Sequence, residues 1–180
     1  STLVEDTWPQ VQELMKVLSK YPEIKSILGG VFPTMAPQDV ISDPNVQYIA
    51  DGEGEDVIPE FCEAVRKSIS PVDIKGTRVK DKDGNIICNP PKPLVNINDI
   101  IPDFSLFDKR RFLRPLGAKI WTAIPIETYR GCPYQCTFCN SPAQVVMAKE
   151  KQQGRYTRRK SMDTLRRELE VMVEKYNPNF

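Results

Sequence analysis

With 180 residues, 27% of them charged and 40% hydrophobic, the chain has the composition of a globular protein and not of a disordered or fibrous one. No apolar run approaches the roughly 18 residues that span a membrane, and no signal-peptide pattern opens the chain, so we predict no membrane partner. Net charge is +1, and basic and aromatic residues do not interleave, so we predict no nucleic-acid partner.

The first 70 residues alternate between helices, short strands and glycine turns. Thr7 and Gln10 form a capping-box pattern that predicts the start of the first helix. Short apolar strands are predicted at residues 24–28 and 46–50, each followed by glycines, and a further helix is predicted at residues 56–68. This order is typical of a doubly wound parallel sheet, an α/β fold in which ligands lie over the carboxyl ends of the strands.

Residues 71–123 are predicted to join two halves of the chain. A β-hairpin is expected around Asp81-Lys82-Asp83-Gly84, because an Asp-Gly turn lies between two candidate strands. The prolines of residues 89–93 indicate a stiff linker. Cys88 on the hairpin and Cys62 on the preceding helix are both predicted to be packed thiols and not metal ligands.

The most informative stretch is residues 127–140, which holds three of the five cysteines. Cys132, Cys136 and Cys139 have the spacing CxxxCxxC. Three neighbouring thiolates repel one another, and side by side they are expected mainly as ligands of a shared cation or cluster. Gly131 and Pro133 flank the first cysteine, as a tight loop requires. Free thiols and an odd number of cysteines indicate a reducing compartment such as the cytoplasm.

The number of local ligands narrows the choice of metal. A structural zinc site needs four ligands, usually cysteine and histidine, and the chain has no histidine. Cys62 or Cys88 would have to supply the fourth, which would make the chain a zinc-stapled, non-catalytic α/β binding module. A [4Fe-4S] cluster also takes four ligands, but one iron can stay open to a small molecule. A ferredoxin-like electron-transfer protein is a further alternative, although its cluster is usually fully ligated by cysteines.

Residues 154–160, which follow the cysteines, are predicted to be a basic loop, and Ser161 is predicted to cap an amphipathic helix that Asn177-Pro178 ends. The basic loop contributes to an uneven charge distribution, with −6 over residues 1–100 and +7 over residues 101–180. A solvated surface accounts for this difference. An electrostatic seam between two domains and a basic lining for an anionic substrate are the alternatives.

The segment from Arg130 to Cys139 resembles the cluster-binding segment of the radical S-adenosylmethionine (SAM) enzymes, whose CxxxCxxC motif has an aromatic residue, here Phe138, before the third cysteine. The resemblance implies that Cys132, Cys136 and Cys139 hold a [4Fe-4S] cluster and that Phe138 lies beside the adenine of SAM. It also implies a reaction in which SAM binds the open iron and is cleaved to a 5′-deoxyadenosyl radical, which takes a hydrogen from an unactivated C–H bond.

The glycine turns resemble the cobalamin-binding domain that precedes the radical SAM domain in one large subgroup of these enzymes. The matching segments are Gly29-Gly30-Val31-Phe32-Pro33-Thr34 and Gly52-Glu53-Gly54-Glu55, with a Ser-x-Leu-like element at Ser1-Thr2-Leu3. The cobalamin contacts implied in this way are Ser1, Thr2, Leu3, Gly29, Gly30, Val31, Gly52, Glu53 and Gly54. A vestigial sheet that binds nothing is the alternative. Because these residues include no histidine, they cannot supply a histidine ligand to cobalt.

Together the two resemblances imply three segments. These are a partial cobalamin-binding, Rossmann-like domain in residues 1–70, a linker with a β-hairpin in residues 71–120, and the first strand-helix unit of a partial TIM-like barrel in residues 121–180. A full (β/α)8 barrel takes about 250 residues, and few residues follow Cys139. We therefore expect the chain to be a fragment of a longer protein and to be inactive by itself.

The implied enzyme is a cobalamin-dependent methyltransferase that acts on an unactivated carbon of a small-molecule substrate. Rearrangement of the substrate's carbon skeleton is the alternative reaction. The implied cofactors are a [4Fe-4S] cluster, SAM and cobalamin, and the implied protein partner is an external reductant such as flavodoxin or ferredoxin.

Overall fold

The computed structural model describes residues 5–179, which form two compact units. The first unit contains the residues up to Val95 together with Val146–Gly154, and the second contains Asn96–Val145 together with the residues from Arg155 onward. Within residues 5–179, no helix combines the length and the apolar composition that a membrane crossing needs. The domain boundaries expected near residues 70 and 120 stay a prediction.

The first unit is a small mixed sheet with helices packed against it. Its helices are α1 (Trp8–Leu18), α2 (Val31–Met35), α3 (Pro37–Ile41) and α4 (Val57–Arg66). Its strands are β1 (Ile27–Leu28), β2 (Tyr48–Ala50), β3 (Thr77–Lys80) and β4 (Ile86–Cys88), in that order across the sheet. β1 and β2 pair in parallel, whereas β3 and β4 are added antiparallel. The predicted α/β fold with parallel strands is confirmed, and the predicted hairpin extends the same sheet.

The core of this unit follows from the alternation of side chains along β2. Ile49 packs with residues of α1 and α3, whereas Tyr48 packs with Phe61 of α4 and Val79 of β3. Successive residues of a strand point to opposite faces of its sheet, so two hydrophobic clusters result. Each fully buried aliphatic or aromatic side chain stabilises the fold by roughly 1.5–3 kcal/mol. The buried members of the first cluster are Met15, Leu28, Val40, Ile41, Val46 and Ile49.

The hairpin of β3 and β4 is organised by Asp81 and by the predicted Asp-Gly turn. The Asp81 carboxylate accepts hydrogen bonds from the backbone N–H groups of Asp83 at 2.9 Å and Asn85 at 2.8 Å. Gly84 takes φ +83°, a conformation that favours glycine. The hydrogen bonds from the side chain and backbone of Asn85 lower the pKa of the Asp81 carboxyl. The local turn chemistry therefore confirms the hairpin.

The predicted start of α1 directly after Thr7 is confirmed, but the capping hydrogen bond of Thr7 and the burial of two cysteines were predicted wrongly. Thr7 precedes α1, but its side chain makes no capping hydrogen bond, because the residue has near-helical dihedral angles (φ −89°, ψ −8°) and not the extended geometry of an N-cap. Cys62 and Cys88 are exposed instead of packed. α4 turns Phe61 into the core, which leaves the next residue facing outward, and Cys88 ends the edge strand of the sheet.

The second unit combines short antiparallel strand pairs with helix α6 (Met162–Tyr176). Its strands are β5 (Leu113–Leu116), β6 (Lys119–Thr122), β7 (Tyr129–Arg130) and β8 (Arg158–Arg159). A further helix, α5 (Ser141–Glu150), begins in this unit, and its residues from Val146 onward belong to the first unit. β5 pairs with β6, and β7 pairs with β8. β8 lies inside the predicted basic loop of residues 154–160, which is therefore only partly a loop, because its backbone hydrogen bonds to β7.

α6 begins and ends where the sequence predicts. The hydroxyl oxygen of Ser161 accepts a hydrogen bond from the backbone N–H of Thr164 at 3.1 Å, which confirms the N-cap. Asn177 ends the helix in a left-handed conformation with φ 44°. The last turn of the helix packs into an aromatic cluster formed by Phe104, Phe107, Phe112 and Tyr176.

Candidate functional site

β7 leads the chain into the cysteine loop, residues 131–140, and fixes the start of that loop. The guanidinium group of Arg130 donates two hydrogen bonds to the carboxylate of Glu127, each 2.9 Å long. Gly131 follows with φ +89°, and a Cβ atom at this position would lie 2.8 Å from the carbonyl oxygen of Tyr156. Glycine is therefore required directly before Cys132 by both conformation and space.

The three motif cysteines are free thiols that solvent can reach. Cys132 is half-buried, and Cys136 and Cys139 are exposed. The backbone N–H of Cys139 donates to the carbonyl oxygen of Cys136 at 3.1 Å, which closes a turn between them. The backbone N–H of Ser141, the first residue of α5, donates to Sγ of Cys139 at 3.4 Å. Backbone N–H groups that point at a cysteine sulfur stabilise its charge when it binds a metal.

The three thiols of the loop are suitable ligands for an iron–sulfur cluster, but their sulfur atoms do not lie together in the arrangement that a metal site needs. Within residues 5–179, no three His, Cys, Asp or Glu side chains are positioned together to hold a metal ion. The loop nevertheless offers three exposed or half-exposed thiols and no competing imidazole, which suits iron and sulfide. Cluster binding would therefore have to draw the three sulfur atoms together, a coupling of metal binding to local folding that is common in small metal sites.

Phe138 projects into solvent between the second and third cysteines. Its side chain is 91% exposed, and Tyr134 in the same loop is exposed as well. Singly exposed apolar side chains are common on protein surfaces, so this exposure leaves Phe138 accessible to a ligand without identifying one. The contact of Phe138 with SAM stays a prediction.

Tyr156 and Gln144 support the cysteine loop, although neither belongs to a sequence motif. The Tyr156 hydroxyl donates to Oε1 of Gln144 at 2.6 Å, and Nε2 of Gln144 donates to Oδ1 of Asn140 at 3.0 Å. The chain of hydrogen bonds thus connects the residue after Cys139 to the segment that packs on Gly131. Tyr156 and Gln144 are 12 positions apart, and no sequence pattern predicts that their side chains form a hydrogen bond.

The two glycine loops of the first unit lie together at the carboxyl ends of β1 and β2. Gly30 takes φ +115° directly before α2, and Gly52 takes the same φ directly after β2 and Asp51. Thr34 joins them, because its hydroxyl donates to the carbonyl oxygen of Gly30 at 2.8 Å and accepts from the backbone N–H of Gly52 at 3.2 Å. The structure therefore brings together the two glycine-containing segments for which the resemblance implies one shared ligand.

The remaining predicted cobalamin contacts have different positions. Gly29 packs closely on β2, since a Cβ atom there would lie 3.4 Å from Cβ of Ala50, and Val31 begins α2 beside it. Gly54 accepts a helix-starting hydrogen bond from Ile58. Ser1, Thr2 and Leu3 lie outside the described residues. The cobalamin contacts as a group stay a prediction.

Glu53 and Asp51 direct their carboxylates toward other parts of the first unit. Oε2 of Glu53 accepts a hydrogen bond from the backbone N–H of Val95 at 2.9 Å. Asp51, which is mostly buried, binds Nζ of Lys151 at 2.8 Å and Nε of Arg78 at 3.2 Å. Any contribution of Glu53 to a cofactor site would therefore come from its backbone. Asp51 was not among the predicted site residues, although its place at the carboxyl end of a strand was a usable signal.

No model of a known protein family matches the chain, but several curated proteins are similar to it in sequence. It is 28% identical over 156 residues to an uncharacterised methyltransferase of Pyrococcus horikoshii, in an alignment that covers 83% of this chain and 30% of the relative. It is 26% identical over 171 residues to the cytidylyl-2-hydroxyethylphosphonate methyltransferase of Streptomyces wedmorensis, with 78% and 32% covered. The hopanoid C-3 methylase of Methylococcus capsulatus is 27% identical over 138 residues, with 74% and 25% covered.

Two solved structures share the fold over nearly the whole chain. The cobalamin-dependent SAM radical enzyme OxsB, with aqua-cobalamin bound, matches with a TM-score of 0.62 and 20% identity, over 96% of this chain and 23% of that chain. The radical SAM methyltransferase TsrM of Kitasatospora setae, with cobalamin and a [4Fe-4S] cluster bound, matches with a TM-score of 0.59 and 17% identity, over 94% of this chain and 32% of that chain.

These similarities confirm the predicted fold class and the predicted resemblance to cobalamin-binding radical SAM enzymes. The relatives and the structures that resemble the chain are enzymes, and most are methyltransferases by name. The chain spans less than a third of the length of each of these curated relatives.

Proposed function

We propose that the chain carries the cluster loop and part of the cobalamin-binding sheet of a radical SAM enzyme. The observation that supports this most directly is the CxxxCxxC loop with three free thiols in a fold like that of cobalamin-dependent radical SAM enzymes. Cys132, Cys136 and Cys139 would hold a [4Fe-4S] cluster with one iron left open. When bound, such a cluster supplies the electron that cleaves SAM to a 5′-deoxyadenosyl radical.

The chain's own residues prepare the loop for this role. Gly131 and the Arg130–Glu127 pair set the direction in which the chain enters the loop. The backbone N–H of Ser141 points at Sγ of Cys139 and would stabilise the charge of a metal-bound sulfur. Phe138 would cover the adenine of SAM and keep water from that face.

Cobalamin is proposed as the second cofactor of this enzyme. The edge of the sheet where Gly30 and Gly52 meet has the positive backbone φ angles that let a backbone approach a bulky ligand closely. The glycine loops would hold the nucleotide tail and the corrin edge, with Ser1, Thr2 and Leu3 as further contacts. Transfer of a methyl group to an unactivated carbon of a small molecule is the reaction proposed, and flavodoxin or ferredoxin in the cytoplasm is the proposed source of electrons.

The test is anaerobic reconstitution of the full-length protein with iron and sulfide. We expect about four iron and four sulfide atoms per chain and release of 5′-deoxyadenosine from SAM under a strong reductant. Replacing Cys132, Cys136 or Cys139 with alanine should abolish both properties. The matched controls C62A and C88A should leave both intact, because these exposed cysteines lie outside the loop.

Two results would contradict the proposal. One bound zinc without acid-labile sulfide, lost in C62A or C88A, would instead identify a zinc-stapled binding module. A full cluster that never cleaves SAM would identify an electron-transfer protein. Carbon-skeleton rearrangement without transfer of an isotopically labelled methyl group would leave the radical chemistry in place and replace only the methyl-transfer step.

A further inference from the structure

The loop that follows β2 holds two other segments of the first unit through its acidic side chains. Glu53 accepts a hydrogen bond from the backbone N–H of Val95 at 2.9 Å. Asp51 binds Nζ of Lys151 at 2.8 Å. The Asp51 side chain is only 13% exposed and also binds Arg78 of β3, so its position is fixed from two sides. The loop is therefore attached both to residues 92–95 and to the segment that follows α5.

Gln153 joins these two segments to each other. Its carbonyl oxygen accepts a hydrogen bond from the backbone N–H of Leu94 at 2.8 Å, and its Nε2 atom donates to the carbonyl oxygen of Lys92 at 2.9 Å. Gln153 also lies beside the glycine loop, since a Cβ atom on Gly52 would be 3.6 Å from Nε2. The side chains of Asp51, Glu53, Lys151 and Gln153 thus form one contact set, which we call the linker clamp.

The linker clamp lies where the chain leaves the first unit. Val95 is the last residue of the first unit before the second begins at Asn96, and Gly154 is the last before the chain enters the second unit again at Arg155. Both clamped segments therefore end within a few residues of such a crossing. Residues 92–95 and 151–154 belong to no helix or strand, so no helix or sheet hydrogen-bond ladder holds these two segments.

We propose that Asp51 and Glu53 are positioning residues that couple the ligand state of the glycine loop to the two crossing segments. The clamp itself follows from the contacts above, whereas the identity of the ligand, cobalamin, rests on the proposed function. The acidic side chains of the loop bind other segments of the first unit, while the backbone N–H of Gly52 bonds to Thr34, which also bonds to Gly30. A ligand that fixes the backbone of residues 52–54 reduces the freedom of Glu53 and so strengthens its hydrogen bond to Val95. By linkage, the same hydrogen bond strengthens ligand binding by an equal factor.

The clamp can be tested without ligand by amide hydrogen exchange on the full-length protein. A hydrogen bond to a charged group is expected to slow exchange at least about tenfold, so E53A should raise the exchange rate of the Val95 amide by that factor. E53Q keeps an acceptor oxygen and should retain most of the protection. E13A, which removes an exposed carboxylate from α1, is the matched control and should change nothing. Unaltered exchange of the β2 and β3 amides in E53A verifies the fold.

An exchange rate of Val95 that is the same in E53A and in the unmodified protein would overturn the clamp. The coupling has a separate test with hydroxocobalamin as the probe, titrated by absorbance in the dark. Saturating hydroxocobalamin should slow exchange at Leu94 and Val95, and E53A and K151M should bind it several-fold more weakly. K149M, which removes an exposed lysine of α5, should bind it normally.

The outcomes separate the inference from the proposed function. If hydroxocobalamin binds E53A and the unmodified protein equally and leaves Val95 exchange unchanged, the coupling is wrong although cobalamin binds. If the unmodified protein does not bind hydroxocobalamin, the cobalamin part of the proposed function is wrong and the coupling to it falls as well. In that case the Val95 exchange rates of E53A and the unmodified protein, compared without ligand, still decide whether Glu53 holds Val95.

Discussion

Single residues at the start of the cysteine loop determine how the loop can be built. Gly131 combines a positive φ of +89° with a distance of 2.8 Å between its would-be Cβ atom and the carbonyl oxygen of Tyr156. Gly117, in the turn between β5 and β6, also has a positive φ, but nothing lies within 4 Å of its would-be Cβ atom. The two glycines therefore separate the effect of conformation from the effect of close packing.

The first prediction concerns these two glycines. G117A should lower the free energy of unfolding by about 1 kcal/mol, the cost of a left-handed conformation for alanine. G131A should cost at least about 3 kcal/mol, because strain and a backbone collision add, and it should lower the iron content after reconstitution. Urea denaturation followed by circular dichroism measures the first quantity. Equal losses for the two variants would show that the packing on Tyr156 is unimportant.

A buried ion pair between Lys160 and Glu168 connects the end of β8 to α6. Lys160 follows β8, and its backbone N–H donates to the carbonyl oxygen of Thr128 at 3.1 Å, next to β7. Its ammonium group binds Oε2 of Glu168 on α6, and both side chains are fully buried. Oε1 of Glu168 has no hydrogen-bond partner among the described residues. The pair thus fixes α6 against the strands that carry the cysteine loop.

The second prediction follows from the cost of an unpaired buried charge. K160M and E168L should each lower the free energy of unfolding by about 3–5 kcal/mol, because each leaves the other charge buried without its partner. The double variant K160M/E168L should lose much less than the sum of the two. Chemical denaturation of all four proteins gives the coupling free energy. Additive losses in the double variant would contradict an interacting pair.

The third prediction concerns the attachment of the end of α6 to Asp103. Hydrogen bonds from Ser105, with a further one from the Tyr176 hydroxyl, lower the pKa of the Asp103 carboxyl to about 2. Because the pKa is lower in the folded state, this contact stabilises the fold fully above about pH 4 and the stabilisation is lost as pH falls toward 2. Y176F should raise the pKa of Asp103, as measured by NMR titration of its carboxyl carbon. An unchanged pKa in Y176F would show that the hydroxyl does not hold this carboxylate.

At the scale of the whole molecule, the second unit exposes an apolar face. Met162, Leu169 and Val173 of α6 are exposed and line a groove together with Ile126 and Leu165. A patch of this kind on one helix face binds hydrophobic probes and promotes association. Leu106, by contrast, is 95% exposed but lies outside this groove.

The fourth prediction is that the 180-residue chain binds the dye ANS through this face. The double variant L169K/V173K should lower ANS fluorescence markedly without changing the helix content, because it places two charges in the groove. L106K is the matched control and should leave the fluorescence nearly unchanged. Dye binding that is equally strong in L169K/V173K would place the accessible apolar surface elsewhere.

The features that could be predicted from the sequence depend on neighbours along the chain. The Asp81 turn, the Ser161 cap and the apolar strands before the glycines each follow from residues within a few positions of one another, since short-range hydrogen bonds and side-chain alternation act locally. The cysteine motif is local as well, and it carries most of the proposed function. Where a local rule failed, as at Thr7, the preceding turn had set dihedral angles that the rule does not consider.

The tertiary structure alone decided how these local pieces are connected. Asp51 and Lys151 are 100 positions apart, and Glu53 reaches Val95 across 42 positions, so no periodicity or spacing relates them. Thr34 joins the glycine loops only because β1 and β2 pair in parallel and bring their carboxyl ends to one edge of the sheet. The donor set of the cysteine loop was thus determined by the order of its residues, whereas the contacts that position the loops depend on which distant segments the hydrophobic core brings together.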